Sequence, residues 1–321
     1  MSKNTFVLLP LPPFRLDLTV WTLRRRPDNA IDRWDGQTYR RVLPLPAGSV
    51  DVAVTQIGPP QAPKLQVAVE GQPLRSPVKA AVSSTLHRLL GLTLDLGPFH
   101  RFAARQRLLR GMAERFQGMK PPRFASVFEG VINAIACQQL TLTVGIHLLN
   151  RLATTCGSAV GEGDKTAHAF PRPEDLVKVS PTSLRQLGFS QQKGRAMIEL
   201  ARLVSEGNLD LEELGGLPDD TALARLRHLR GVGRWTAEYV LLRGLGRVHV
   251  FPGDDVGARN NLQKWLRLSE PLDYDGVART LNGWKPYGGL IYFHLLLGRL
   301  EEAGYLREAF NGTRIGGWRS G

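Results

Sequence analysis

A chain of 321 residues has room for two domains that share an interface, and 42% hydrophobic against 22% charged residues describes a folded, water-soluble protein with a substantial core. Its 42 lysines and arginines exceed 29 acidic residues for a net charge of +13, which favours a polyanionic partner without naming it, since a solvated basic surface would read the same. The two cysteines, Cys137 and Cys156, are too few for a four-thiolate zinc or iron–sulfur centre and form no secreted disulfide framework, so a reducing compartment is expected.

In chain order, the apolar run Phe6-Val7-Leu8-Leu9 stops at Pro10, short of a signal peptide, and no stretch reaches membrane-spanning length. Phe14, Leu16, Leu18 and Val20 alternate with Arg15, Asp17, Thr19 and Trp21, the period of a half-buried strand. The same alternation returns at Val50, Val52 and Val54 and at Leu65, Val67 and Val69, with turn signals at Asp35-Gly36 and Gly58-Pro59-Pro60 between the runs, so an antiparallel sheet is expected. After Pro77 the pattern turns helical, and from about Arg101 the strand signal fades. The fold class expected is therefore α+β: residues 1–115 an α+β unit with a small antiparallel sheet, 116–311 an all-helical unit, and 312–321 a C-terminal tail.

Within the helical unit one helix has a clear start. Lys120-Pro121-Pro122 breaks the chain, Ser126 and Glu129 have capping-box spacing, and Phe124, Val127, Phe128, Val131, Ile132 and Ile135 form an apolar stripe, so this helix should be central and buried. A loop is expected from Gly157 to Pro173, then an amphipathic helix through Met197, Leu200, Ala201 and Val204, stopped at Gly207.

The most informative segment is Leu229-Arg230-Gly231-Val232-Gly233-Arg234-Trp235-Thr236-Ala237, between helical runs on either side. Gly231 and Gly233 suit a tight turn and a close approach to a ligand, and the helix that follows opens with unpaired N–H groups that favour phosphate, with Arg230 and Arg234 adding charge. A plain turn between helices remains open for a bare Gly-x-Gly. The longer pattern, continued by Phe251-Pro252-Gly253-Asp254-Asp255, resembles the hairpin and catalytic loop of the helix-hairpin-helix DNA glycosylase superfamily. Gly-Arg-Trp-Thr-Ala-x-Tyr resembles its alkylated-base branch, the 3-methyladenine DNA glycosylase II type, whose catalytic aspartate is the second of an Asp-Asp pair twenty positions past the tryptophan, as Asp255 is past Trp235. The resemblance extends to Phe128-Glu129-Gly130, to Ala134-Ile135-Ala136-Cys137-Gln138-Gln139-Leu140-Thr141 and to Trp284-Lys285-Pro286-Tyr287, and the N-terminal sheet is similar to the TATA-binding-protein-like domain of that branch.

The resemblance implies a monofunctional glycosylase that flips an alkylated base from damaged double-stranded DNA and hydrolyses its N-glycosidic bond, leaving an abasic site. Asp255 would be the catalytic carboxylate, although an aspartate there also suits a helix cap. Trp235 and Tyr239, four apart, would line the base pocket with Leu296, where one pattern of the family has tryptophan; ordinary core packing is the competing reading of the aromatic pair. Gln138, Gln139, Arg230, Gly231, Gly233, Arg234 and Thr236 would meet DNA, with Gln139 as the wedge. Lysine stands at the Trp235 position in lyase members, so its absence points to hydrolysis alone. No cofactor or catalytic metal is needed; a structural monovalent cation at the hairpin is implied only with DNA bound. A monomer suffices, with no membrane partner, in the cytoplasm at the bacterial nucleoid or in a nucleus. The rival readings are a glycosylase for oxidised or deaminated bases and a non-catalytic damage-binding helix-hairpin-helix protein.

Overall fold

The computed structural model describes residues 4–306, so the tail expected at 312–321 lies outside the described residues. The chain begins with β1 (Thr5–Leu8), α1 (Leu16–Arg24), β2 (Arg33–Trp34), β3 (Thr38–Leu43), β4 (Val50–Gln56), β5 (Leu65–Glu70) and α2 (Ser76–Leu90). The strands make one antiparallel sheet in the order β1-β5-β4-β3-β2. The valine alternations form strands as expected: Val52 lies opposite Val69 and Val54 opposite Val67, all four buried on the face that α1 and α2 cover. Asp35-Gly36 turns β2 into β3, with Gly36 at φ 99° and Asp35 accepting from the N–H groups of Gln37 and Thr38.

The strand expected over Phe14–Val20 is the helix α1 instead. Its residues are buried nearly all round: Leu16, Val20 and Leu23 face the sheet, while Leu18 and Trp21 face the C-terminal helices. Their spacing is helical, and an element buried on several sides carries no reliable two-residue period.

The rest of the chain runs α3 (Gly97–Ala104), α4 (Arg107–Arg115), α5 (Val127–Cys137), α6 (Leu142–Cys156), β6 (Ala159–Val160), β7 (Ala167–His168), α7 (Pro173–Leu176), α8 (Pro181–Gln186), α9 (Gln191–Ser205), α10 (Asp219–Arg227), α11 (Arg234–Arg243), α12 (Val256–Leu266), α13 (Tyr274–Leu281) and α14 (Gly288–Glu302). The unit expected to be all helical thus holds a short hairpin, β6 on β7, within the Gly157–Pro173 loop. The helix α5 is central, packed with α6, α9 and α11 around Val131, Ile135, Leu149, Met197 and Val240. Helices α3 and α4, which the sequence places with the N-terminal unit, bury Phe99, Ala103 and Leu109 against Leu262, Leu290 and Ile291 of α12 and α14. An amphipathic stripe declares that a helix will bury one face without saying against what. Among the described residues no helix is long and apolar enough to cross a membrane.

The sheet is fastened to α5 by charge. Arg41, on β3 and 1% exposed, donates to Asp32 at 2.7 Å and to both oxygens of Glu129 at 2.7 Å, and Tyr39 donates to Asp32 at 2.8 Å. Ser126 caps α5 as expected, accepting from the Glu129 N–H, but the Glu129 carboxylate turns to Arg41 and does not return to the cap. Two carboxylates around one guanidinium balance only as a set. Arg41→Met should cost about 3–5 kcal/mol of unfolding free energy by leaving both carboxylates buried and unpaired. Urea denaturation measures it, and adding Glu129→Gln should recover part of the loss.

A second expectation concerns His294 on α14. Burial pushes its pKa from an ordinary 6.5 down to about 4, and its Nε2 has no hydrogen-bond partner. The native state therefore holds it neutral while the unfolded chain protonates it. Its contribution is complete above pH 6.5 and declines as pH falls toward about 4, by up to about 3 kcal/mol. In denaturant titrations His294→Leu should flatten the slope of stability between those pH values, whatever it does to the baseline.

Candidate active-site groove

The hairpin joins α10 to α11 through Leu229–Gly233. Its two glycines serve differently. Gly231 has φ +76°, and a Cβ there would sit 2.9 Å from the Ala196 Cβ, so both backbone and space demand glycine. Gly233, at φ −92° and ψ −175°, is ordinary extended backbone at the N-cap of α11, with open space around it. The turn is held from α5: Gln138 Nε2 donates to the Gly231 carbonyl at 2.7 Å and to Thr236 Oγ1 at 2.8 Å. Lys193 Nζ, at the start of α9, donates to the carbonyls of Ala136 and Gln138 at 3.0 and 2.7 Å and so closes the end of α5.

Beyond α11 the chain returns through Phe251–Asp255 to start α12. Asp255 caps that helix, Oδ1 accepting from the Ala258 N–H at 2.9 Å. Its other oxygen accepts from Trp235 Nε1 at 3.3 Å and Tyr292 Oη at 3.2 Å. Burial and the Asp255 charge push the Tyr292 hydroxyl well above its ordinary pKa, so it stays a donor. Asp254 pairs with Arg234 at 2.6 Å, and Arg234 also lies 3.7 Å over the Tyr274 ring. Tyr274 donates to Glu238 at 2.6 Å, and Glu238 accepts from the Gly253 N–H at 3.0 Å. Burial and Glu238 raise the Tyr274 hydroxyl to about 12. A Cβ on Gly253 would meet the Tyr274 ring at 2.7 Å, so the Asp254-Asp255 loop sits close against this tyrosine.

Gln138, Gln139, Arg230, Gly231, Gly233, Arg234, Trp235, Thr236, Asp254 and Asp255 line one open groove of about 1180 Å3, with Cys137 and Lys193 in its wall. Gln139 is exposed and stands at φ +53°. Two of the residues expected there do not line it. Tyr239 is 3% exposed, stacked behind Trp235 at 5.4 Å between ring centroids, with its hydroxyl accepting from Arg25 at 2.8 Å. Leu296 is half-buried in the cluster of Trp21, Phe116 and Tyr292. For Tyr239, core packing is what the structure displays.

The sequence model described as HhH-GPD superfamily base excision DNA repair protein matches residues 132–286, from α5 through the hairpin and Asp255 to the turn before α14. A DNA-3-methyladenine glycosylase of Bacillus subtilis is 25% identical over 293 residues, covering 91% of this chain and 96% of its own length. A 3-methyladenine DNA-glycosylase from Archaeoglobus fulgidus superposes with a TM-score of 0.77 at 27% identity, covering 91% of this chain and 97% of that one. This chain belongs to the HhH-GPD superfamily. An 8-oxoguanine glycosylase/lyase from Clostridium acetobutylicum in complex with DNA shares the fold, with a TM-score of 0.74 at 15% identity over 94% of this chain and 97% of its own.

In this HhH-GPD protein several groups at the groove had no signal in the sequence. Tyr292 is four residues before Leu296 on α14, so only the register of that helix was at fault. Lys193 follows an ordinary Ser190 cap. Arg24-Arg25-Arg26 reads as a solvated charge run, yet Arg24 and Arg25 are 4% and 5% exposed. Gly231→Ala should cost about 1–2 kcal/mol through left-handed strain, against under about 1 kcal/mol for Gly233→Ala at its helix cap. Paired chemical-denaturation midpoints test that asymmetry.

Proposed function

We propose that this chain is a monofunctional DNA glycosylase that extrudes an alkylated base of the 3-methyladenine type from double-stranded DNA and hydrolyses its N-glycosidic bond. The observation that carries the reading is the Asp255 carboxylate, held by donors from α11, α12 and α14 at the edge of a groove whose other side is the glycine hairpin. The exposed hairpin and the N-terminus of α11 suit a DNA phosphate. Gln139, exposed at the end of α5, suits the gap left by a flipped nucleotide, and extrusion costs a few kcal/mol, least at a lesion that has weakened its pairing.

Bond cleavage leaves an oxocarbenium-like sugar, and a fixed carboxylate either stabilises that charge or positions water for it. The Trp235 face offers an apolar, electron-rich wall for the base. Hydrolysis without lyase chemistry is favoured by two features: tryptophan stands where lyases carry lysine, and the amine of Lys193 in the groove wall is engaged by two carbonyls. Should a monovalent cation join the hairpin when DNA binds, the Gly231 carbonyl, already bonded to Gln138, would not be its ligand.

Asp255→Asn should lower single-turnover base release from methylated duplex DNA by about 10²–10³-fold while binding to an abasic-site analogue persists. Borohydride should trap no covalent enzyme–DNA adduct. Equal release by wild type and Asp255→Asn, or a trapped adduct, overturns the mechanism; binding with no release from alkylated, oxidised or deaminated duplexes overturns the enzyme reading.

A further inference from the structure

Behind Trp235 and Cys137, which line the groove, lie two arginines that nothing in the mechanism above uses. Arg25, the left-handed cap of α1 at φ 61°, donates from Nη1 to Tyr239 Oη at 2.8 Å and from Nη2 to Asn133 Oδ1 at 3.0 Å. Arg243, at the end of α11 and 0% exposed, packs over the rings of Phe124, Tyr239 and Phe293 at 5.3, 5.7 and 5.4 Å and donates to the Thr22 carbonyl at 2.8 Å. Among the described residues neither has a carboxylate within ion-pair distance, and Nε of Arg25 and Nε and Nη1 of Arg243 have no hydrogen-bond partner. A guanidinium stays charged when buried, so two positive charges stand one side-chain layer from the groove floor. The carboxylate nearest them through contacts is Asp255, reached through Tyr292 and through Tyr239 stacked on Trp235.

Resting on the reading of this groove as a base-excision site, we infer that Arg25 and Arg243 set its substrate class, favouring bases that are neutral in the nucleotide over cationic ones. The chemistry follows from where the electrons go. When the N-glycosidic bond breaks, its electron pair passes to the base nitrogen. A cationic base such as 7-methylguanine leaves neutral, whereas a neutral base such as 1,N6-ethenoadenine leaves as an anion and takes its proton from water afterwards. Water adds to the sugar carbon and releases its proton to Asp255 or to solvent. Buried cations with no counter-ion stabilise only the departing anion, and their field repels a base that arrives with positive charge. They act through the field and do not touch the base.

The test compares single-turnover release of 1,N6-ethenoadenine and 7-methylguanine from otherwise identical duplexes, as a ratio of rates within one preparation, so that the fraction of active enzyme cancels. Arg25→Met and Arg243→Met should each lower the neutral-to-cationic ratio about tenfold, while Arg25→Lys, which keeps the charge and loses the guanidinium geometry, should hold it within about twofold. Wild type alone gives a second reading: its rate enhancement over spontaneous loss should be larger for ethenoadenine than for 7-methylguanine. An unchanged ratio in both Met variants, an equal fall in Arg25→Lys, or an enhancement no larger for the neutral base overturns the inference. Release of neither base by wild type is the separate failure of the glycosylase reading.

Discussion

The groove depends on one carboxylate caught by three helices. Asp255 takes a backbone N–H from α12, the indole N–H of Trp235 from α11 and the hydroxyl of Tyr292 from α14. None of these bonds forms unless the three helices already share one register, so the packing of α12 and α14 against Leu242 and the Phe251 loop is a condition for the site as much as for stability. The loop before Asp255 is fixed by the same means: Glu238 on α11 holds the Gly253 N–H and Tyr274, and Tyr274 in turn carries the Arg234 guanidinium that pairs with Asp254. A carboxylate restrained this way suffers little reorganisation when positive charge develops beside it.

Three buried arginines make the contrast that separates structure from function. Arg41 is enclosed by Asp32 and Glu129, so its charge is cancelled locally and it serves to weld the sheet to α5. Arg25 and Arg243 are as deeply buried, and their partners are carbonyls, an amide oxygen, a hydroxyl and ring faces. Those contacts lower the cost of desolvation without neutralising the charge. Arg243 also lies at the C-terminal end of α1, whose unsatisfied carbonyls favour a cation. A charge left uncancelled inside a protein projects its field into whatever space adjoins it, and here that space is the groove wall.

What was legible in the sequence was what local chemistry fixes. The valine alternations, the Asp35-Gly36 turn, the Ser126 cap and the glycine hairpin each state their conformation within a few residues. The failures are those of partnership. The segment at Leu16–Arg24 could satisfy a strand period because it is buried on several sides, and only the helices covering it reveal which period governs. Glu129 had the spacing of a capping box, but a buried guanidinium from β3 outbids a backbone N–H that water or the Ser126 hydroxyl can satisfy. Trp235 and Tyr239 do share a helix face, yet the first lines the groove and the second backs it, a distinction of one layer that four-residue spacing cannot express.

The two glutamines illustrate how neighbours in sequence divide a task. Both hydrogens of the Gln138 amide are committed, one to the Gly231 carbonyl and one to Thr236, so Gln138 sets the distance between α5 and the hairpin and has no donor left for DNA. Gln139 follows it in the left-handed region, a conformation that costs a non-glycine residue energy and persists only where the surroundings impose it. Lys193 imposes it by holding the carbonyls of Ala136 and Gln138, which ends α5 and turns the next residue outward. The exposure of Gln139 beside Leu140 is therefore a consequence of two bonds made elsewhere, and the strain at this one residue is what aims its side chain away from the core.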